Sequence, residues 1–257
     1  KLVNPYLLRR TKEQVAEDLP ELITSVFYAE MTPEQKQIYE REKSAARNYL
    51  LDNYVENSPV FKLQILKTLT KLRQLVNHPA MVLEDYEKQS GKFQDVIEHW
   101  EVIRKSGHKV LFFSSFVKHL ELFRQYFEST QQPYSWISGQ STLKERERAI
   151  LDFESQPEVR AFLISIKSGG SGLNLTAADY VFILDPWWNP FIEQQAIARA
   201  HRIGQTKRVM AIRFITLGSI EEKILLLQDK KSQLAADIIQ PVESTSLAQE
   251  DIDFLLS

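Results

Sequence analysis

From Gly91 onward the chain alternates short apolar runs with longer stretches of helical periodicity, and this alternation constrains the fold more than any other feature. The runs are Val110 to Phe113, Tyr134 to Ile137, Ala161 to Ile166, Tyr180 to Leu184 and Val209 to Ile215. A strand that is apolar at successive positions shows apolar side chains on both sides, so both faces of its sheet must be covered. The intervening segments supply the cover: helices are expected near Lys92 to Ser106, Val117 to Ser129, Thr142 to Ser155 and Pro190 to Ile203. The fold class predicted is α/β, with a mostly parallel sheet and helices on both faces.

Upstream, the stretch around Thr11 to Asp18 reads as a polar helix stopped by Pro20, and Ile23 to Ala29 as a strand feeding a sheet edge. Thr32, Pro33 and Gln35 form a capping box with proline at the first helical position, which predicts a long helix to about Asn53. A second helix, from near Pro59 to Val76, carries Val60, Leu63, Leu66, Leu69 and Leu72 and stops at Asn77, His78 and Pro79. Thr142 with Glu145 and Ser219 with Glu222 are two further capping boxes, the last opening a helix to about Ile239. A polar hinge and a short acidic amphipathic helix follow. The organisation expected is a connector and edge strand over 1–30, a helical protrusion over 31–90, an α/β lobe over 91–217, and a C-terminal helix and tail over 218–257.

Composition removes several classes of function. The chain has no cysteine, which excludes disulfides, thiolate metal sites and cysteine nucleophiles, and no cluster of histidines and carboxylates has metal-ligand spacing. No apolar run approaches the roughly 18 to 20 residues of a membrane span, so no membrane partner is expected. The net charge of −2 requires any nucleic-acid contact to come from a local arrangement and not from a basic protein as a whole. The chain starts without Met and reads as a piece of a longer protein.

Ligands of an open α/β sheet sit at the carboxyl ends of its strands. The residues there are Ser114 and Ser115; Ser138 and Gly139; Lys167, Ser168 and the cluster Gly169, Gly170 and Gly172; and Asp185 to Pro190. Small hydroxylated residues and glycines expose backbone amides, which suits phosphate binding. The glycine cluster reads either as a flexible turn or as an anion loop; the P-loop pattern GxxxxGK[ST] is absent from the sequence. In the helix expected from Pro190, Gln195, Arg199 and Arg202 share one face, either a solvated basic stripe or arginines that complete a phosphate site. An arginine inserted at a γ-phosphate is worth about three to five decades of rate in phosphoryl transfer. Trp187 and Trp188 either both pack beneath neighbouring helices or present one ring outward. Lys144, Arg146 and Arg148 read by default as a solvated helix face, and His78 and His201 as structural.

The ordered blocks NPYLLRRTKEQV, LRQLVNHP, SGK, KVLFFSSF, ISGQSTLKERERAILDF, FLISIKSGGSGLNLTAADYVFILDPWWNP, QQAIARAHRIGQ and GSIEEKIL closely resemble the second ATPase lobe of SWI/SNF-type DNA translocases in helicase superfamily two. The resemblance covers Asn4 to about Leu227. It implies a RecA-like lobe of an ATP-driven motor that closes over Mg-ATP held mainly by a first, N-terminal lobe. Arg199 and Arg202 would face the phosphates, with Arg202 the preferred finger, and Gln195 and Gly172 would meet the nucleotide. Ser114, Ser115, Gly139, Arg148, Lys167, Ser168 and Gly169 would contact double-stranded DNA, and Trp188 would lie against its groove. Ile166, Ser168 and Ala198 stand where threonine, alanine and glycine are more usual. The chain alone is expected to hydrolyse ATP negligibly, and the intact protein to remodel protein–DNA complexes, in the nucleoid-bearing cytoplasm of a prokaryote or the nucleus of a eukaryote. The competing expectation is a non-catalytic DNA- or protein-binding module that keeps the fold.

Overall fold

In the computed structural model, which describes residues 19–52, 58–168, 172–237 and 254–255, the apolar runs become one six-stranded sheet. Strands β1 (Leu22–Ala29), β2 (Val110–Ser114), β3 (Tyr134–Ile137), β4 (Ala161–Ser165), β5 (Tyr180–Ile183) and β6 (Val209–Thr216) lie in the order β1-β6-β5-β2-β4-β3. Every neighbouring pair runs parallel. Helices α1 (Pro33–Asp52) and α2 (Pro59–Asn77) follow β1, and α3 (Gly91–Lys105) leads into β2. Helices α4 (Val117–Ser129), α5 (Leu143–Ser155) and α6 (Pro190–Ile197) precede β3, β4 and β6 respectively, and α7 (Ile220–Asp237) follows β6. The polar segment around Thr11 to Asp18 and most of the acidic tail lie outside the described residues.

All positions of β2 and β4 are buried because the sheet is covered twice. Leu111, Phe113, Phe162 and Ile164 face one core, completed by Ala149 and Phe153 of α5 and by Ala196 and Ile197 of α6. Val110, Phe112 and Leu163 face the other, completed by Trp100 of α3 and by Phe123 and Phe127 of α4. Each such fully buried phenylalanine stabilises the fold by roughly 1.5–3 kcal/mol relative to exposure. The strand β1 pairs only with β6, from Leu22 opposite Val209 to Ala29 opposite Thr216, and forms the sheet edge.

The helical pair has a core of its own. Leu69, Leu72, Leu75 and Val76 of α2 pack with Tyr39 of α1 and with Ile220, Ile224 and Leu227 of α7. The pair therefore leans on the C-terminal helix, because an apolar helical stripe must be buried against something. Leu255, at 2% exposure, is inserted into the same core.

The three predicted capping boxes have different outcomes. Thr142 and Glu145 form the full reciprocal box. The Gln35 amide donates to Thr32 Oγ1 at 3.3 Å, but the Gln35 side chain turns inward to the carbonyls of Leu75 and Val76 at 2.9 and 2.8 Å. At α7, Ser219 Oγ accepts from the Glu221 amide at 3.1 Å, while Glu222 accepts from the Gly218 amide at 3.0 Å.

Candidate functional site

Strand β2 is flanked by β4 and β5, so the carboxyl ends of these three strands lie side by side, where an open α/β sheet has its ligand crevice. At its floor lies Asp185, fully buried just beyond β5. Its carboxylate accepts hydrogen bonds from the hydroxyls of Ser114 and Ser115, from the Ser115 amide at 3.1 and 3.2 Å, and from Nη2 of Arg73 at 3.1 Å. Arg73 reaches in from α2 and donates also to Ser115 Oγ at 3.1 Å and to the Pro186 carbonyl at 2.9 Å. Its guanidinium lies 4.8, 5.3 and 5.4 Å from the ring centroids of Phe116, Trp187 and Trp188. A flat, delocalised cation can stack its plane on rings while one of its nitrogens bonds several oxygens, a stacking that an ammonium lacks.

This arrangement bears on the readings of Ser114, Ser115 and Trp188. The hydroxyls of Ser114 and Ser115 and the Ser115 amide are committed to Asp185, so these serines build the crevice wall and offer no free donor to a phosphate. Trp188 is half-buried between the Arg73 cation and the core of α1, α2 and α7. Cation–π contact together with apolar burial accounts for that placement.

The loops after β3 and β4 meet at the other side of the crevice. Arg146, read from the sequence as part of a solvated face, donates to the carbonyls of Ser141, Ser138 and Ser168, each at 3.1 Å. It staples the two loops together. Gly139 is exposed there, and a Cβ on it would lie 3.8 Å from Ser168 Oγ. Ser168 is buried with no hydrogen-bond partner for that hydroxyl, and Lys167 beside it is exposed. Arg148 is exposed and pairs with Asp152 at 2.9 Å, an i,i+4 bridge worth only about 0.3–0.5 kcal/mol that leaves its charge accessible. Gly169 lies outside the described residues; Gly172 is exposed at φ +57°, a left-handed conformation that glycine adopts without strain.

Helix α6 ends at Ile197 and not at Ile203, so Arg199 and Arg202 stand on the turns beyond it and share no regular helical stripe with the exposed Gln195. The backbone tightens there, with the amides of Arg199 and Ala200 bonding to Ala196 and Ile197, each at 3.1 Å. The Arg199 carbonyl accepts from the Leu175 amide at 3.0 Å, and the Gln205 side chain donates to the carbonyls of Thr176, Ala178 and Ala200. Gly204, at φ +100°, completes the turn. Long-range demands on these carbonyls thus outweigh continuation of the helix.

Arg199 is half-buried, its Nε enclosed without a partner, and burial lowers its pKa with a further push from the charge of Arg202. Arg202 is exposed, with Nη1 3.5 Å from the Gly172 carbonyl. Neither arginine forms an ion pair with a carboxylate among the described residues. Two neighbouring cations without an anion suit a ligand that carries several negative charges. Their platform is rigid: Glu193 of α6 is fully buried and accepts from the Trp187 amide at 2.8 Å, from Arg213 Nε at 3.0 Å and from Gln228. Burial raises the pKa of the Glu193 carboxyl. No group of three or more acidic or histidine side chains that could hold a metal occurs among the described residues.

Sequence reasoning placed Asp185 only among the residues at the strand ends and assigned no role to Arg73, Glu193 or the wholly buried pair of Lys92 and Glu221. Lys92 Nζ also donates to Asn77 Oδ1 at 3.0 Å and to the Leu184 carbonyl at 3.1 Å. Burial pushes the Lys92 ammonium down and the Glu221 carboxyl up, and each charge opposes the shift of the other. One signal was available: Asp185 directly abuts an apolar strand, where an unpaired carboxylate would be costly.

Comparison with known proteins gives a consistent picture. The helicase conserved C-terminal domain matches residues 91–204, and the SNF2-related domain matches residues 1–81. The Sulfolobus solfataricus SWI2/SNF2 ATPase C-terminal domain aligns with a TM-score of 0.73 at 31% identity, covering 91% of this chain and 98% of that one. The core of the same ATPase in complex with dsDNA aligns with a TM-score of 0.77 at 34% identity, covering 99% of this chain and 54% of that one. Among curated relatives, the putative ATP-dependent helicase/translocase YwqA of Bacillus subtilis is 32% identical across 100% of this chain and 28% of its own length. An uncharacterized ATP-dependent helicase of Mycoplasma genitalium, MG018, is 33% identical across 100% of this chain and 24% of its own. The chain thus spans about a quarter of the length of these two relatives.

Proposed function

Since the chain belongs to the SWI2/SNF2 family of ATP-dependent helicases and translocases, we propose that it is the second motor lobe of a double-stranded DNA translocase that remodels protein–DNA complexes. The observation that carries this reading is the cation pair at the end of α6. Arg199 and Arg202 are adjacent, lack carboxylate partners among the described residues, and stand beside Gly172 on a platform bolted down by Glu193. The sequence contains no P-loop of its own. The triphosphate would then be held by the other lobe, with Mg²⁺ supplying further positive charge when bound, and the Arg199 and Arg202 of this chain would meet it on closure. Arg202, exposed beside Gly172, is the finger; Arg199 and Gln195 complete the surface that senses the γ-phosphate.

The DNA side is formed by Lys167, Gly139, Ser168 and Arg148 at the meeting of the β3 and β4 loops. These residues combine accessible charge, an open glycine and a hydroxyl without a partner. Phosphate contacts of this kind position a motor on the duplex without reading its bases.

In the intact protein, Arg202→Ala is expected to lower DNA-stimulated ATP turnover by about three decades or more, the loss typical of a missing finger, with little change in DNA affinity. Retained turnover would remove Arg202 from that role. Stimulation by single-stranded DNA or RNA in preference to duplex DNA would overturn the duplex-translocase reading.

A further inference from the structure

The helical body of α1, α2 and α7 and the two faces of the sheet have separate apolar cores. The seam between them is crossed by charge. Arg73, 3% exposed, projects from α2 into the crevice and reaches the ends of β2 and β5 at once, through Ser115, Asp185 and Pro186. Three aromatic rings, from Phe116, Trp187 and Trp188, surround the same guanidinium.

We propose that Arg73 is a positioning residue of the motor, fixing the helical body to the β2 and β5 loops so that DNA contact and nucleotide turnover act on one rigid unit. Apolar side chains of similar volume would hold a seam at least as firmly, since a buried ion pair is weak support for stability. All three bonds leave Nη2, whose direction is set by the guanidinium plane held among the rings, so this cation does something apolar packing does not: it selects one orientation of the partners it joins. Arg73 also orders the serines, because Ser115 Oγ accepts from Arg73 while donating to Asp185, and Asp185 in turn holds the Ser114 hydroxyl and the Ser115 amide. Removing the guanidinium leaves those loops folded but free to choose other arrangements. The inference rests on the motor reading above, and the test separates the two.

The experiment uses the intact protein, with Arg73→Lys and with the double variant Arg73→Met, Asp185→Asn. Thermal midpoint, basal ATP turnover, and maximal turnover and half-saturating concentration with duplex DNA are read for each. Arg73→Lys keeps the buried charge but loses the planar group stacked among the rings. It is expected to keep basal turnover within about twofold while the efficiency of DNA stimulation falls about tenfold. The double variant removes both charges, so its thermal midpoint should return close to that of the unaltered protein while stimulation stays low. Stimulation that recovers along with the midpoint would make Arg73 merely structural and overturn the inference; unaltered stimulation in Arg73→Lys would do the same, and decides alone should the double variant not fold. An unaltered intact protein without DNA-stimulated hydrolysis would overturn the motor reading as well, whereas normal stimulation in every protein tested removes only the inference.

Discussion

At Gly91 the end of β1 leaves no room for a side chain: a Cβ would lie 1.8 Å from the Glu30 carbonyl oxygen and 3.0 Å from its carbon. Both contacts are backbone, so neither can swing aside. Gly91→Ala is expected to destabilise the protein by about 2 kcal/mol or more, the upper part of the overpacking range, measurable as a lowered denaturant midpoint. His78 makes a different kind of prediction. Its Nδ1 accepts from the Ala80 amide at 3.2 Å, which places the proton of the neutral ring on Nε2, and burial pushes its pKa down to about 4. His119, fully buried, is pushed well below its ordinary value for the same reason. The unfolded chain, with histidine near 6.5, binds the proton more readily than the folded chain. Stability is therefore fully present above about pH 6.5 and falls as pH drops toward 4, by up to about 3 kcal/mol from His78. Thermal scans from pH 7 to 4 should show the midpoint falling, and His78→Asn, which keeps an acceptor for Ala80, should flatten the slope. A midpoint that does not move across this window would refute the assignment.

Elements were legible to the extent that local pattern determines them. Strands β2 to β6 follow from apolar runs, and α5 begins where the Thr142 and Glu145 box places it. Thr142→Ala removes the hydroxyl that accepts from the Glu145 amide at 3.3 Å and should cost about 1 kcal/mol, read as a shifted unfolding midpoint. Helix α6 shows where pattern fails. Its periodicity continues through Arg202, yet the helix stops at Ile197 because Leu175 and Gln205, brought in from other segments, bond to carbonyls of Arg199 and Ala200. The same competition diverts Gln35 from its capping role to Leu75, Val76 and the Gly91 amide, the last at 3.2 Å. In both cases local propensity is worth tenths of a kcal/mol, whereas a buried unsatisfied backbone group costs one or more.

For the whole molecule, a net charge of −2 means that any binding of DNA by this chain must rest on a few accessible cations. Replacing exposed Lys167 by Gln is expected to reduce the salt slope of duplex binding by the intact protein by about one, with a similar loss on every sequence. The isolated chain should hydrolyse ATP negligibly; turnover comparable to the intact protein would show that it grips the triphosphate without the other lobe. The sequence by itself determined the parallel sheet, its two covered faces and the family, because continuous short apolar runs and ordered motifs are local and survive without knowledge of partners. Only the tertiary structure decided which polar groups leave water. Arg73 meets Asp185 across 112 residues and Lys92 meets Glu221 across 129. A buried charge is tolerated only when its partner arrives with it, and neither half of such a pair carries a mark of the other. The serines at the end of β2 thus look like phosphate ligands in the sequence and become wall supports in the fold, because Asp185 and Arg73 are there to claim them.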